Sequence, residues 1–457
     1  MKRLLVVAAL LALLPAAAFA QVDRATLTGT VKDAAGAVLP GATVTITNLA
    51  TGVSSTQTTT ESGSFLLVNL IPGRYQVDVE LSGFKKNSQV ITLDVGQRAR
   101  IDAALEVGSF NETVTVQEIP QLLNTNDSNL GGVVPQMQVA NLPLSIRNWD
   151  DLLTLVPGVQ QDRYTEQGGG TSFGRTGGIN VHGARALQNN FLLDGVDNNS
   201  ISENVQELTT QVSRPSVDAI QEFKVVTTPY SAEYGRSPGA AVSVSTKSGT
   251  NSFHGTAYEY FRNQSMDSID YFSKKAGAPK PDNRQNQPGG NIGGPILKDH
   301  AFFFADYEGT RITRGVSRLT RVPTADERNG IFTSTIKDPV TGLPFANNTI
   351  PANEIDPYSK AILDLVPLPN QPGVNNFFRN ANLIDNSDRL LTRVDWKHGA
   401  ADSIFGRYIY SNRERQIPGA FGGVLDGTGT SAFGNQKIKT NAFVGGWTRV
   451  LSSRMVN

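Results

Sequence analysis

The sequence has 457 residues, with 41 basic and 41 acidic side chains and no cysteine. Balanced charge excludes a nucleic-acid partner held by a general electrostatic field, and the lack of cysteine excludes disulfides, thiolate catalysis and cysteine-ligated metals. The length predicts about three domains.

Residues 1–20 have the pattern of an export signal. The basic pair Lys2-Arg3 precedes an apolar run over 4–14, and Ala18-Phe19-Ala20 supplies the small residues that signal peptidase accepts. The alternative is a membrane anchor, but the apolar run is shorter than the ~20 residues of a spanning helix. We therefore expect the mature chain to begin at Gln21.

Residues 21–107 are predicted to form a small β-sandwich. Short alternating segments are divided by turns with Pro or Gly, such as Leu39-Pro40-Gly41 and Ile71-Pro72-Gly73. The predicted strands are 25–32, 42–48, 64–69, 74–80, 89–93 and 98–105.

The details of this segment resemble the carboxypeptidase regulatory-like domain. The motifs are G-T-V-K-D from Gly29, P-G-A-T-V-T-I-T-N from Pro40 and G-x-F-x-L-x-x-L-x-P-G-x-Y from Gly63. That resemblance implies no catalysis, and the four histidines are too far apart for a short metal-ligand pair. We expect no metal and no cofactor. A spacer or docking role is favoured over sugar binding, which a shared fold does not establish.

Residues 108–120 are predicted to be a linker that contains one extended strand. Thr and Val alternate in Glu112, Thr113, Val114, Thr115, Val116 and Gln117. Such a strand can add to the sheet edge of a partner through main-chain hydrogen bonds. The alternative is an ordinary linking strand of a neighbouring domain.

Residues 121–250 are predicted to contain short strands separated by turns, with a short helix ended by Pro157-Gly158. The motifs are I-N-V-H-G-A-R from Ile179, L-D-G-V from Leu193 and Y-G-x-x-x-G-A-x-V-x-V-x-T-K-S-G-T-N from Tyr234. In this order they resemble the plug domain of TonB-dependent outer-membrane receptors.

The resemblance to that family assigns a role to the preceding strand. The strand is similar to the TonB box, so Glu112, Thr113, Val114, Thr115 and Val116 are the expected TonB-binding residues. His182 stands where the family has arginine, and no role of that arginine is carried over. Asp194, Asp197, Asn198 and Asn199 lack EF-hand spacing, which favours a turn over a calcium site.

Residues 251–457 are predicted to form longer strands in which apolar and polar side chains alternate. The opposed sets are Phe303, Ala305 and Tyr307 against Asp306, Glu308 and Thr310; Leu390, Thr392, Val394 and Trp396 against Arg393, Asp395 and Lys397; and Ile404, Tyr408 and Tyr410 against Ser403, Arg407 and Ser411. A soluble antiparallel sheet alternates in the same way. Beside a plug, the pattern favours a membrane barrel with lipid outside and water inside. Residues 314–386 are expected to form an extracellular excursion with a small helix at Pro357–Leu365.

The number of residues after Asn251 is small for the predicted barrel. A plugged barrel has about 22 strands of about ten residues, and an unclosed edge in lipid leaves main-chain groups unpaired. We therefore expect the sequence to be the N-terminal part of a longer protein.

Together these observations predict a mostly β protein: an N-terminal β-sandwich, an α+β plug and the first strands of an incomplete transmembrane β-barrel. The resemblance is to an Oar-like TonB-dependent receptor of the cell outer membrane. It implies TonB as a partner and an unknown extracellular substrate, with carbohydrates, siderophores and peptides among the classes transported. The alternative is a secreted carbohydrate-binding or adhesive protein. A hydrolase is excluded because no nucleophile, base and orienting group occur together.

Overall fold

The structure is a computed structural model that describes residues 23–108, 113–116, 130–142, 144, 147–161, 179–184, 188–199, 211–227, 238–269, 271–275, 280, 282–399, 401–426, 434–452 and 455–456. The predicted export signal and Glu112 lie outside the described residues.

The N-terminal unit is a β-sandwich of two sheets. Its strands are β1 (Ala25–Asp33), β2 (Thr43–Asn48), β3 (Ser54–Thr58), β4 (Ser64–Leu70), β5 (Gly73–Glu80), β6 (Lys86–Leu93), β7 (Arg98–Arg100), β8 (Ala103–Leu105) and β9 (Thr113–Val116). One sheet has the order β4-β1-β7, with β8 also paired to β1, and the other has the order β3-β2-β5-β6-β9. Alternate residues of β1, from Ala25 to Val31, point into the core between the sheets.

Two sandwich strands differ from the sequence prediction. β3 was not predicted because its sequence, SSTQT, has no apolar residue, and it lies at the edge of its sheet with an exposed face. The single strand predicted over 98–105 is divided into β7 and β8, which both pair in parallel with β1.

The second unit is the plug. Its strands are β10 (Gly131–Pro135), β11 (Val159–Gln161), β12 (Ile179–Val181), β13 (Asn190–Leu193), β14 (Val196–Asp197), β15 (Ile220–Val226) and β16 (Ala241–Thr246). The main sheet has the order β10-β15-β16-β13-β14, and β11 pairs with β12. Helix α1 (Gln136–Asn141) and 3-10 turns at Trp149–Leu155 and Val217–Ala219 complete it.

The third unit is a seven-stranded antiparallel sheet in sequence order, which we call the wall. Its strands are β17 (His254–Asn263), β18 (Asn283–Leu297), β19 (Ala301–Thr320), β20 (Phe377–His398), β21 (Asp402–Ile417), β22 (Gly434–Ser452) and β23 (Met455–Val456). The two end strands of this open sheet do not pair with each other within the described part of the chain. Phe304, Leu391 and Ile409 of the wall belong to the same apolar core as the plug, which therefore packs directly on the wall.

The predicted alternation of the wall is confirmed. Asp306, Glu308, Arg393 and Arg407 are buried on the face toward the plug, whereas Val394, Trp396 and Ile404 are exposed on the other face.

The excursion between β19 and β20 is shorter than predicted because both strands run farther than expected, and it covers 321–376. The predicted helix at Pro357–Leu365 is present (α4), with smaller helices α2 (Tyr271–Lys275) and α3 (Ala325–Arg328). The remaining 3-10 turns are Gln264–Met266, Ala346–Asn348 and Gly423–Asp426. Among the helices of the described ranges, none has the length and apolar character needed to cross a bilayer.

Candidate functional site

The plug is joined to the wall by a buried cluster of charges around Asp194. Its carboxylate accepts a hydrogen bond from Nη1 of Arg393 at 3.0 Å and forms an ion pair with Arg407. Arg393 also makes a bidentate pair with Asp395, with both N–O distances at 2.8 Å. All of these side chains are buried. Since breaking such a buried pair leaves an uncompensated charge, the cluster fixes the position of the plug against β20 and β21.

Local structure explains why Asp194 reaches the wall. It lies in the L-D-G-V turn between β13 and β14, at a left-handed φ of 48°. Its N–H donates to the carbonyl of Val244 at 2.9 Å, and its carboxylate accepts the N–H of Thr246 at 2.8 Å. Burial opposes ionisation of Asp194, but Arg393 and Arg407 outweigh burial and hold the pKa of the carboxyl below its usual value.

The register of the wall makes this carboxylate necessary. Arg393 of β20 and Arg407 of β21 are directly opposite each other in the sheet. Like charges at opposed positions destabilise strand pairing. Asp194 lies between the two guanidinium groups and neutralises the repulsion that the wall alone would contain.

A second polar contact between plug and wall is centred on Glu308 of β19. Nε of Arg147 donates to its carboxylate at 3.1 Å, and the same guanidinium forms an ion pair with Asp218 of the plug. The guanidinium carbon lies 4.7 Å and 4.2 Å from the ring centroids of Tyr258 and Tyr260, a cation–π arrangement. Arg147 therefore links plug segments to β17 and β19.

A third contact joins the plug to the same strand of the wall. The hydroxyl of Ser216 donates to the carboxylate of Asp306 at 2.5 Å. Ser216 also caps the 3-10 turn at Val217–Ala219 by accepting the N–H of Ala219. The contact therefore anchors the turn that leads into β15.

The sandwich lies against one end of the plug and the wall. Asn251 donates from its backbone N–H to the carbonyl of Ala50 at 3.0 Å and from its side chain to the carbonyl of Thr51 at 2.6 Å. The backbone N–H of Val95 donates to the carboxylate of Glu222 in β15. Burial, with a smaller contribution from Asp94, raises the pKa of Glu222 to about 8. The sandwich is thus in contact with the plug through a carboxyl that burial keeps protonated near neutral pH.

A cavity of ≈ 680 Å³ lies where the three units meet. Its lining includes Asp23 and Tyr75 from the sandwich, Asp194 from the plug, and Phe302 and Trp447 from the wall. Burial raises the pKa of Asp23.

The predicted TonB-binding strand is not part of the plug sheet. Thr113, Val114, Thr115 and Val116 form β9, which pairs in parallel with β6 of the sandwich. Glu112 is outside the described residues. The structure therefore places four of the five residues together on a sheet edge, and their TonB-binding role stays a prediction.

The other residues discussed in the sequence have local roles. The backbone N–H of His182 donates to the carbonyl of Gly158 at 3.2 Å. Asn198 donates to the carbonyl of Ser213, and Asp197 accepts the N–H of Asn199, as a turn requires. In the portion of the chain that the structure describes, no group of three His, Asp or Glu side chains could hold a metal ion.

Sequence reasoning placed Arg393 and Arg407 on the polar face of the wall but did not identify their partners. Alternation along a strand gives the face of a side chain and carries no information about what is packed against that face. The pairing with Asp194 joins residues 199 and 213 positions apart in the chain.

Three family models match successive parts of the chain. Residues 26–106 match the carboxypeptidase regulatory-like domain, residues 113–242 match the TonB-dependent receptor plug domain, and residues 245–457 match an outer membrane beta barrel domain. Together they cover nearly all of the described chain.

Among curated proteins, the TonB-dependent transporter Oar of Myxococcus xanthus is 27% identical over 306 residues, which are 64% of this chain and 27% of Oar. The chain thus spans about a quarter of the length of the curated relative that it matches.

Among solved structures, the outer membrane transporter YddB from Escherichia coli has 16% identity and a TM-score of 0.42, over 70% of this chain and 36% of YddB. The ferric enterobactin receptor PfeA from Pseudomonas aeruginosa has 12% identity and a TM-score of 0.40, over 70% of this chain and 38% of PfeA. Scores this low support no conclusion about a substrate. On the domain matches and the Oar relationship, the chain belongs to the TonB-dependent receptors of the outer membrane, with an N-terminal carboxypeptidase regulatory-like domain.

Proposed function

We propose that the chain acts in energised uptake of a substrate across the outer membrane, and that TonB couples to it through β9. The observation that carries the proposal is the position of β9. The match to the plug domain begins at Thr113, the first residue of β9, and β9 is the last strand in the order of its sheet. A strand at a sheet edge can pair with a partner strand through main-chain hydrogen bonds.

The orientation of the chain supports a periplasmic location for β9. The sandwich contacts Asn251, which precedes β17, and the side chain of Asn251 donates to Asp299 in the short turn between β18 and β19 at 2.6 Å. In bacterial outer-membrane barrels the short turns face the periplasm and the long loops face outward. We therefore propose that the sandwich and β9 face the periplasm, where TonB acts, and that the 321–376 loop faces the substrate.

The polar contacts between the plug and the wall are compatible with a shift of the plug during transport. Hydrogen bonds and ion pairs at the wall, such as those of Asp194, Arg147 and Ser216, can be exchanged for contacts with water when the plug shifts. Apolar contacts lose their stabilisation when the same surfaces separate. A pull on β9 from the periplasm would be opposed by these polar contacts and by the apolar contacts that Phe304, Leu391 and Ile409 of the wall make with the plug. We propose a transport role without a catalytic step; the substrate class is open among carbohydrates, siderophores and peptides.

The test is a pair of substitutions at Val114 in the full-length receptor. Val114→Pro removes a main-chain N–H and fixes φ, so the variant is expected to lose binding to the periplasmic domain of TonB. Val114→Thr keeps the N–H and the preference for an extended strand, and it serves as the matched control with retained binding. Affinity is measured by titration calorimetry on the purified receptor and on a peptide of residues 112–117. Unchanged affinity of the proline variant in both formats would refute the assignment.

A further inference from the structure

β9 has two edges, and the sandwich occupies one of them. The paired positions are Lys86 with Thr113, Asn87 with Val114, Ser88 with Thr115 and Gln89 with Val116. No other strand of the described ranges pairs with the second edge of β9. Since N–H and C=O groups point alternately to the two sides of a strand, the second edge presents its own set of main-chain donors and acceptors.

The strand that holds β9 is a firm part of the sandwich. β6 pairs with β5 along seven positions, from Leu93 opposite Gly73 to Asn87 opposite Val79. Ile91 and Leu93 of β6 are fully buried in the sandwich core. β9 is therefore extended against a rigid template, although it is only four residues long.

This arrangement favours addition of a partner strand over removal of β9 from the sandwich. A partner that binds a free, flexible segment must order its backbone, which opposes binding. A partner that adds to the open edge of β9 meets a strand that is already ordered. Resting on the proposed function, we propose that the TonB strand adds to the open edge of β9 while β9 stays paired with β6, so that the sandwich is part of the TonB docking surface.

A consequence of this geometry is the route of the applied force. The sandwich contacts the plug through Glu222 and Lys224 and also contacts Asn251, which precedes β17 and donates to Asp299 in the turn between two wall strands. If β9 remains paired with β6, a force applied to β9 acts on the sandwich as well as on the plug, which follows β9 in the chain. The sandwich then acts as a mechanical element of the receptor and not as a passive spacer.

The absence of cysteine from the sequence permits a direct test by an engineered disulfide. Ser88→Cys with Thr115→Cys joins two opposed positions, whose separation suits a disulfide. The matched control is Ser88→Cys with Thr113→Cys, which shares one substitution and moves the other by two residues. Two residues along a strand add ~6.6 Å, which takes the Cα pair beyond the ~7 Å limit for bridging. Disulfide yield is read by alkylation and mass spectrometry on the purified receptor.

The decisive measurement is the affinity of the periplasmic TonB domain for the bridged receptor, before and after reduction. The expected result is efficient bridging of 88 with 115 and little bridging of the control, with a Kd for the oxidised form within threefold of the reduced form. Poor bridging of 88 with 115 would overturn the pairing. A loss of tenfold or more on oxidation, restored by reductant, would show that TonB must displace β6 and would overturn this inference alone. Failure of the wild-type receptor to bind TonB would overturn the proposed function, and with it this inference, while the disulfide yield would still report on β6 and β9.

Discussion

Replacing Asp194 with Asn should loosen the plug at its attachment to the wall. The substitution keeps the size of the side chain and an oxygen that can accept the N–H of Thr246. It removes the negative charge that pairs with Arg393 and Arg407. Arg393 keeps its bidentate pair with Asp395, so the loss falls mainly on Arg407.

The magnitude follows from the burial of these groups. The Asp194 side chain is fully buried and that of Arg407 is 3% exposed, so little water can replace the lost partner. Removal of one member of a buried pair costs about 3–5 kcal/mol. At 1.4 kcal/mol per factor of ten, the local opening that exposes the plug amides should become roughly one hundred to several thousand times more frequent.

Hydrogen exchange of the purified receptor, read by mass spectrometry on peptides that cover β13 and β16, measures this opening. Asp197→Asn removes a nearby charge that is exposed and is the matched control, with exchange expected near the wild-type rate. Adding Arg407→Leu to Asp194→Asn should restore slow exchange because no buried charge is then left unpaired. Exchange of the Asp194→Asn variant within threefold of wild type, or a double variant as fast as the single one, would refute the reasoning.

Two further predictions concern the contact of the plug with the sandwich and the packing inside the sandwich. The pKa of Glu222 is raised from 4.5 to about 8, so the folded state binds the proton more tightly than the unfolded state. The free energy of unfolding should therefore fall as pH rises from about 4.5 to 8, by up to roughly 5 kcal/mol at ~1.4 kcal/mol per pKa unit. Urea unfolding at pH 6 and pH 8.5 should show this slope in the wild type and a much smaller slope in Glu222→Gln; equal slopes would contradict it. Gly29→Ala should destabilise the sandwich by about 1–3 kcal/mol or more, since the added Cβ would lie 1.8 Å from the carbonyl oxygen of Ile101. Gly406→Ala, with nothing within 4 Å, is its control in thermal unfolding, and equal melting temperatures would count against the packing argument.

Local patterns predicted the strands well where both faces of the strand are packed. The plug strand Ala241–Thr246 has the predicted bounds, because alternating Val and Ser between glycine-rich turns leaves few other conformations. β3 was not predicted because its polar residues gain their strand conformation from pairing with β2, which no local pattern records. The faces of the wall strands followed from alternation, since lipid and plug select opposite side chains.

Local sequence patterns predicted less of the candidate site than of the strands. The L-D-G-V motif indicated a turn at Asp194, and the turn is present. Its ion pairs with the wall depend on how the plug packs against two strands about two hundred residues later in the chain. Likewise, the alternation of Thr and Val predicted an extended strand at Thr113–Val116, but its choice of β6 as a neighbour depends on the folded sandwich.

The opposed arginines of β20 and β21 also affect how the receptor assembles. Neighbouring wall strands pair with neighbours in sequence, so the wall can form by adding one hairpin at a time. The hairpin that brings Arg393 opposite Arg407 carries a repulsion until Asp194 reaches it. A plug that folds before the hairpin would neutralise this repulsion and favour the correct register. A plug that folds after the hairpin would leave the two arginines without a counter-ion while the strands pair. The order of synthesis, with the plug before the wall, makes the counter-ion available before the strands that need it.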